Sequence, residues 1–282
     1  MLVIGINGNV GKLISSHDDK GLFISASRSE DAIITLPDFE VDTLNRIFST
    51  VDAESVCLLS AISSDKECNR NKELSQYVNT VIPLDVAKAC KRANKRLIYI
   101  STDYVYSGEI HLAKESDSLK GLPITLYGRQ KRKGEINVMD QSSSNSVLRI
   151  ARVCSTKLNN NFYTNTLELI KKNKEIVAAS DQYFSPLYAG DLYKVLDKLS
   201  AKAEGGIFNC GGPNHQTRVE YMHALKEIHK LNCKIKGCSR KELGIELDVP
   251  HDTSMNSAKL FQKLNIAQTQ FENILYADKS EY

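Results

Sequence analysis

A phenol and an amine stand four residues apart at Tyr127 and Lys131, and upstream the apolar run Leu97–Ile100 ends in Ser101 and Thr102. Residues four apart on a helix share one face, so a helical Tyr127-Gly128-Arg129-Gln130-Lys131 points both groups into one cleft. A phenol beside a fixed cation ionises more readily and can give or take a proton near neutral pH. A hydroxyl at the carboxyl end of a parallel strand opens onto the crevice where such sheets bind ligands. Thr102, Tyr127 and Lys131 are therefore the candidate catalytic residues, suited to proton transfer at a substrate oxygen. The pair alone is weak evidence, because in a chain with 12 tyrosines roughly one such spacing arises by chance. Its context has to decide.

The amino terminus supplies an independent part of the same chemistry. Met1–Ile4 reads as a short buried strand, followed by Gly5-Ile6-Asn7-Gly8-Asn9-Val10-Gly11 and a helical run from Lys12. Glycines at 5, 8 and 11 permit a tight turn, close approach of a pyrophosphate to backbone N–H groups, and close helix-on-strand packing. Gly5, Asn7, Gly8, Asn9, Val10 and Gly11 are thus expected to hold a dinucleotide.

Leu22-Phe23-Ile24 reads as the second strand, with Arg28 among serines near its carboxyl end. An arginine there suits a 2′-phosphate, which favours NADP(H) and leaves NAD(H) open. Asp38 is either near an adenine or a helix-start residue. Ile33-Ile34 reads as a third strand and Asp42–Ser49 as a helix. Ser55–Ala61 reads as a strand. The small residues at its end place Ser60, Ala61 and Ile62 beside the cofactor and Ser63 towards the substrate. Glu73–Ala93 is a long helical pattern that contains Pro83. Asn79 on it is either a satisfied core amide or a support for the active-site strand.

Further strands are expected at Ser146–Ile150 and Glu175–Ala178, with helices at Phe162–Lys172, Ala189–Ala201 and Val219–Lys230. Strand and helix in alternation imply an α/β fold, a Rossmann-type doubly wound parallel sheet with helices on both faces. The remaining segments, Gly206–Asn209 among them, are expected to build a smaller C-terminal α/β substrate lobe. The expected division is a dinucleotide-binding domain at 1–150, with 177–203 returning to it, and a lobe from 151–176 and 204–282.

Composition narrows the class. At 282 residues, 41% hydrophobic and 25% charged, the chain is an ordinary globular one. The net charge of +3 and the absence of a dense basic block argue against nucleic acid or membrane as partners. No signal peptide or membrane span is legible. Seven scattered cysteines suggest a reducing compartment, and the expected location is cytoplasmic. Cys233 and Cys238 lack the spacing of a metal pair, and His223 and His229 fall on different helix faces, so no metal site is expected.

These residues together resemble the extended short-chain dehydrogenase/reductase superfamily, and within it the dTDP-4-dehydrorhamnose reductase-like, sugar-nucleotide-binding family. Thr102-Asp103-Tyr104-Val105-Tyr106-Ser107-Gly108 is similar to that family's strand-end signature, with Tyr106 for a usual phenylalanine and Ser107 for a usual aspartate. Tyr127-Gly128-x-x-Lys131 with Gly134-Glu135 resembles its catalytic helix, and Tyr77-Val78-Asn79 its long helix. Asp181-Gln182 matches an Asp-Gln loop, but Phe184 replaces a usual glycine, Leu187 a usual threonine and Val249 a usual arginine.

The resemblance implies reduction of a nucleotide-linked 4-keto-6-deoxy sugar by hydride from NADP(H). Tyr127 would be the proton donor, Thr102 would hold the carbonyl, and Lys131 would bind the nicotinamide ribose and lower the tyrosine pKa. It further implies substrate contacts from Ser63, Asp103, Tyr104, Val105, Tyr106, Asp181 and Gln182. A homodimer stays open, as do a non-catalytic NADP-binding regulatory subunit and an epimerase on the same scaffold.

Overall fold

The computed structural model describes residues 1–27, 33–36, 38–245 and 249–280; Arg28, the expected 2′-phosphate ligand, lies outside them. The strands in chain order are β1 (Leu2–Ile4), β2 (Ile24–Ser27), β3 (Ile34–Thr35), β4 (Ser55–Leu58), β5 (Arg96–Thr102), β6 (Ser146–Ile150), β7 (Val153–Cys154), β8 (Glu175–Ala179), β9 (Tyr183–Phe184), β10 (Leu187–Tyr188), β11 (Gly206–Cys210), β12 (Gln216–Thr217) and β13 (Lys234–Cys238). Seven of them form one sheet in the order β11-β6-β5-β4-β1-β2-β3, with parallel pairing throughout. The order reverses between β1 and β4, which opens the crevice where doubly wound sheets bind ligands.

Side chains alternate along each strand, and that period of two divides the core. Leu2, Ile4, Val56, Leu58, Leu97 and Tyr99 pack on one face against Val86 and Ala89 of the helix Ile82–Arg92. Val3, Cys57, Ile98, Ile100 and Leu148 pack on the other against Leu13, Ile14, Leu192, Leu196 and Phe261. The second strand starts later than expected. The backbone N–H groups of Leu22 and Phe23 donate to the Asp18 carboxylate at 2.7 and 3.0 Å, which keeps them out of the sheet ladder.

Gly206–Cys210, expected in the lobe, is instead the edge strand of the main sheet and pairs in register with β6. The order of segments along the chain does not say which late one pairs with β6; in the sheet Asn209 is buried among partners of its own. β8, by contrast, leaves the sheet and pairs with β13. A third cluster of Tyr163, Phe184, Tyr188, Tyr221, Ile235 and Phe271 gives the lobe its own core. Phe184 and the tyrosines at 163, 188 and 221 are packing residues there.

Candidate active site

The carboxyl ends of four neighbouring strands open onto one cleft of about 830 Å³. The turn after β1 contributes Gly5, Gly8, Asn9, Val10 and Gly11, and the segment after β4 contributes Ser60, Ala61, Ile62 and Ser63. The end of β5 contributes Thr102, Asp103 and Tyr104, and β6 leads into Ala151 and Arg152. Tyr127 and Lys131 close it from the helix Leu126–Met139, and Asn161, Phe162 and Asn165 close it from the lobe. The residues expected to do chemistry and those expected to hold the dinucleotide therefore face one space, apart from exposed Asn7 and undescribed Arg28.

The glycine turn is built to approach a ligand. Gly5 has φ +90°, and a Cβ there would meet Ser60 Oγ at 2.5 Å, so the first turn and the β4 loop touch through bare backbone. At Gly8 a Cβ would meet only Gly5 O, at 3.3 Å, leaving the cleft side open. The first helical turn beyond it carries backbone N–H groups without intrahelical partners. A pyrophosphate fits this cradle.

The helix Leu126–Met139 starts at a Thr125 cap, whose Oγ1 accepts from Gly128 N at 2.9 Å, while Asp65 Oδ1 accepts from Tyr127 N at 2.9 Å. A Cβ on Gly128 would lie 2.1 Å from Tyr104 O, so only glycine lets the helix seat against the end of β5. Asn79 braces the opposite wall. It accepts from Ile62 N and donates to Ile62 O, both at 3.0 Å, and donates to Gln130 Oε1 at 2.9 Å. It sits in a π-helical turn, Tyr77–Val81, within the long helical stretch. Asn79 is thus the satisfied buried amide, and its bonds go to the loop at Ile62 rather than to the β5 strand.

Electrostatics differ from expectation at one point. Burial pushes the Tyr127 phenol well above its ordinary pKa, and the neighbouring Thr102 hydroxyl only partly offsets this. The expected lowering by Lys131 is not seen, because Lys131 spends its charge elsewhere. Its Nζ donates to Ile100 O at 2.7 Å and lies 3.9 Å above the Tyr99 ring. Burial pulls its pKa down to about 7, opposed by Glu135. Thr102 Oγ1 donates to Asp103 Oδ1 at 2.9 Å. Burial raises the Asp103 pKa, and Arg152 opposes the rise.

Four expected substrate residues are elsewhere. Val105 is in the sheet core. Tyr106 is buried, and its hydroxyl donates to Asn209 Oδ1 at 2.6 Å and accepts from Arg149 at 3.0 Å. A tyrosine in place of a phenylalanine thus serves a polar network below the cleft. Asp181 accepts from the backbone N–H of Arg240 at 2.8 Å. Gln182 does not line the cleft, and its Oε1 accepts from Arg218 at 3.3 Å. Asp38 lies two residues before Glu40, the N-cap of the helix Val41–Thr50, and accepts from Glu40 N at 2.9 Å, which favours the helix-start role.

Two guanidinium groups were missed. Arg152 lies 5.3 Å and Arg218 4.6 Å from the centre of the Phe162 ring, and Arg152 Nη2 approaches Tyr104 Oη at 3.4 Å. Among the described residues neither has a carboxylate in ion-pair range. Burial, and next the charge of Arg152, pull the Arg218 pKa down to about 10. Arg152 stands two residues beyond the end of β6, in the same crevice at the carboxyl ends of the strands as Thr102.

The RmlD substrate binding domain family model matches residues 1–278. The chain belongs to this family. A relative in the family's range, the dTDP-4-dehydrorhamnose reductase of Mycolicibacterium smegmatis, is 28% identical over 230 residues, covering 80% of this chain and 68% of that protein. The methionine adenosyltransferase 2 subunit beta of Danio rerio is 21% identical over 98% of this chain and 88% of its own length. The crystal structure of Bacillus anthracis dTDP-4-dehydrorhamnose reductase in complex with NADP superposes with a TM-score of 0.85 at 20% identity, covering 100% of this chain and 98% of that one. The fold is thus that of the family's solved members. No helix among the described residues is long and apolar enough to cross a membrane.

Proposed function

We propose that this chain is an NADP(H)-dependent reductase of a nucleotide-linked 4-keto-6-deoxy sugar, acting as dTDP-4-dehydrorhamnose reductases do, with NAD(H) as a lesser cofactor. The observation that carries this reading is the meeting of Thr102, Tyr127 and Lys131 with the Gly5–Gly11 turn in one cleft. The bound dinucleotide would supply the hydride. Tyr127 would deliver its phenolic proton to the forming alkoxide, and its raised pKa keeps that proton in place until the oxygen develops charge. Thr102 would turn its hydroxyl from Asp103 to the carbonyl oxygen. Lys131 would bind the ribose hydroxyls from beneath.

Arg152 and Arg218 answer the absence of an arginine at Val249. Two cations with no carboxylate in ion-pair range among the described residues suit a diphosphate-linked substrate, since charge-assisted bonds to phosphate are strong and specific. The lobe that holds the sugar would comprise 151–188 and the segments after β11. The seven cysteines are free thiols, six of them buried, as a reducing cytoplasm permits.

The test is NADPH consumption with dTDP-4-dehydrorhamnose and related nucleotide-linked keto sugars. Turnover that disappears in Tyr127→Phe supports the proposal, and NADPH binding with no turnover on any of them contradicts it. The second reading, a dinucleotide-binding regulatory subunit, rests on the nearly full-length similarity to the Danio rerio subunit. Co-purification of a catalytic partner by a chain that turns nothing over would favour it.

A further inference from the structure

Three of the chain's six histidines gather around Tyr183, and none of them lines the cleft. The His215 ring lies flat on Tyr183, with centroids 4.8 Å apart and planes 5° from parallel. His111 stands edge-on to His215 at 3.9 Å, and His251 edge-on to Tyr183 at 5.7 Å. A single carboxylate oxygen sits between two of these rings. Asp252 Oδ2 is 3.2 Å from His111 Nδ1 and 3.4 Å from His215 Nε2.

These separations fit a shared ion. Ligand atoms on a tetrahedral zinc, at 2.0–2.2 Å from the metal, lie roughly 3.3–3.5 Å from one another. The three atoms here lie within 4.8 Å of one another, so the His111 ring need swing only slightly to close the set. It has room to do so, since its side chain is 63% exposed, against 20% for His215 and 6% for Asp252. The inner carboxylate is already oriented, as its Oδ1 accepts from Ser254 N at 2.7 Å. The stacked Tyr183 fixes the His215 ring. The outer side opens to water, which can complete the coordination.

We propose that His111, His215 and Asp252 form a binding site for one divalent transition-metal ion of the zinc type. Two imidazoles and one carboxylate suit such an ion better than calcium or magnesium, which take all-oxygen shells. The ion would tie three segments together: the loop after β5, the turn before β12, and the stretch after Pro250, whose Asp252 N already donates to Gly108 O at 2.8 Å. Its role is to clamp the lobe to the sheet beside the cleft. The ligands are far apart in sequence, so no short motif announces them.

The test uses the full chain without a histidine tag, stripped with chelator and titrated with Zn²⁺ and Co²⁺. One equivalent of each metal, a visible Co²⁺ spectrum of nitrogen and oxygen ligation, and a raised melting temperature are expected. His111→Ala should weaken binding by at least the 10- to 100-fold that loss of an outer-shell partner costs, with NADPH binding intact. His215→Ala should do the same, and if it fails to fold, the exposed His111 decides. His223→Ala should bind as wild type. No stoichiometric uptake, undiminished uptake by His111→Ala, or a thiolate charge-transfer band would overturn the proposal, leaving two imidazoles hydrogen-bonded to one carboxylate.

Discussion

The side-chain amide of Asn79 hydrogen-bonds both main-chain groups of Ile62, accepting from its N–H and donating to its carbonyl, each at 3.0 Å. An extended loop has no sheet partner for these groups, and Asn79 takes the place of one. Replacing it by leucine leaves Ile62 N and the buried Gln130 Oε1 without this partner, while Ile62 O keeps Cys68 Sγ at 3.3 Å, and an unsatisfied buried group costs about 1–3 kcal/mol. Asn79→Leu should therefore lose about 2–4 kcal/mol in urea unfolding and weaken NADPH binding. A variant that keeps wild-type NADPH affinity would remove Asn79 from the positioning of the cofactor loop.

Beneath the cleft, Glu135 is buried and accepts from Arg149 through both carboxylate oxygens, at 3.0 and 2.7 Å, and from Ser101 at 2.5 Å. Neutralising one member of such a pair leaves the other charge buried. Glu135→Gln should destabilise the fold by about 3–5 kcal/mol, read from the shift in the urea midpoint.

Lys131 offers a prediction in pH. Its folded pKa is pulled down to about 7, while the unfolded chain keeps the ordinary lysine value. Between these values the unfolded state binds more protons, so stability rises with pH across that window. The destabilisation is complete below about pH 7 and fades towards pH 10. Lys131→Met removes the buried charge at the loss of one hydrogen bond. It should be more stable than wild type by about 1–3 kcal/mol at pH 6 and equal or weaker near pH 10, with turnover lost. Equal stability differences at both pH values would refute a buried, weakly basic amine.

Much of this was legible in the chain. The strand-end threonine, the Tyr127–Lys131 spacing and the glycine turn all depend on local geometry, and all meet in the cleft. The helix Phe162–Lys172 likewise runs over the expected residues, capped locally by Asn161. What stayed hidden depends on distant partners. Tyr106 faces Arg149 and Asn209 rather than a sugar, β11 joins the sheet by pairing with a strand far back in the chain, and Lys131 is drawn to Ile100 O by the packing of helix on strand.

Arg152 and Arg218 should govern the substrate and leave the dinucleotide alone. Arg152→Met should raise the KM for the nucleotide sugar about 10- to 100-fold, the effect of losing about 1.5–3 kcal/mol from a charge-assisted bond. NADPH affinity should not change. Steady-state kinetics with fluorescence titration of NADPH separates the two, and a change confined to NADPH would reverse the assignment.

The most direct measurement is the rate of NADPH oxidation by wild type and Tyr127→Phe with a cognate nucleotide-linked keto sugar, alongside their NADPH affinities. Loss of the positioned proton donor should slow turnover about 100- to 10,000-fold with NADPH affinity unchanged. An undiminished rate in Tyr127→Phe would contradict proton delivery by this phenol.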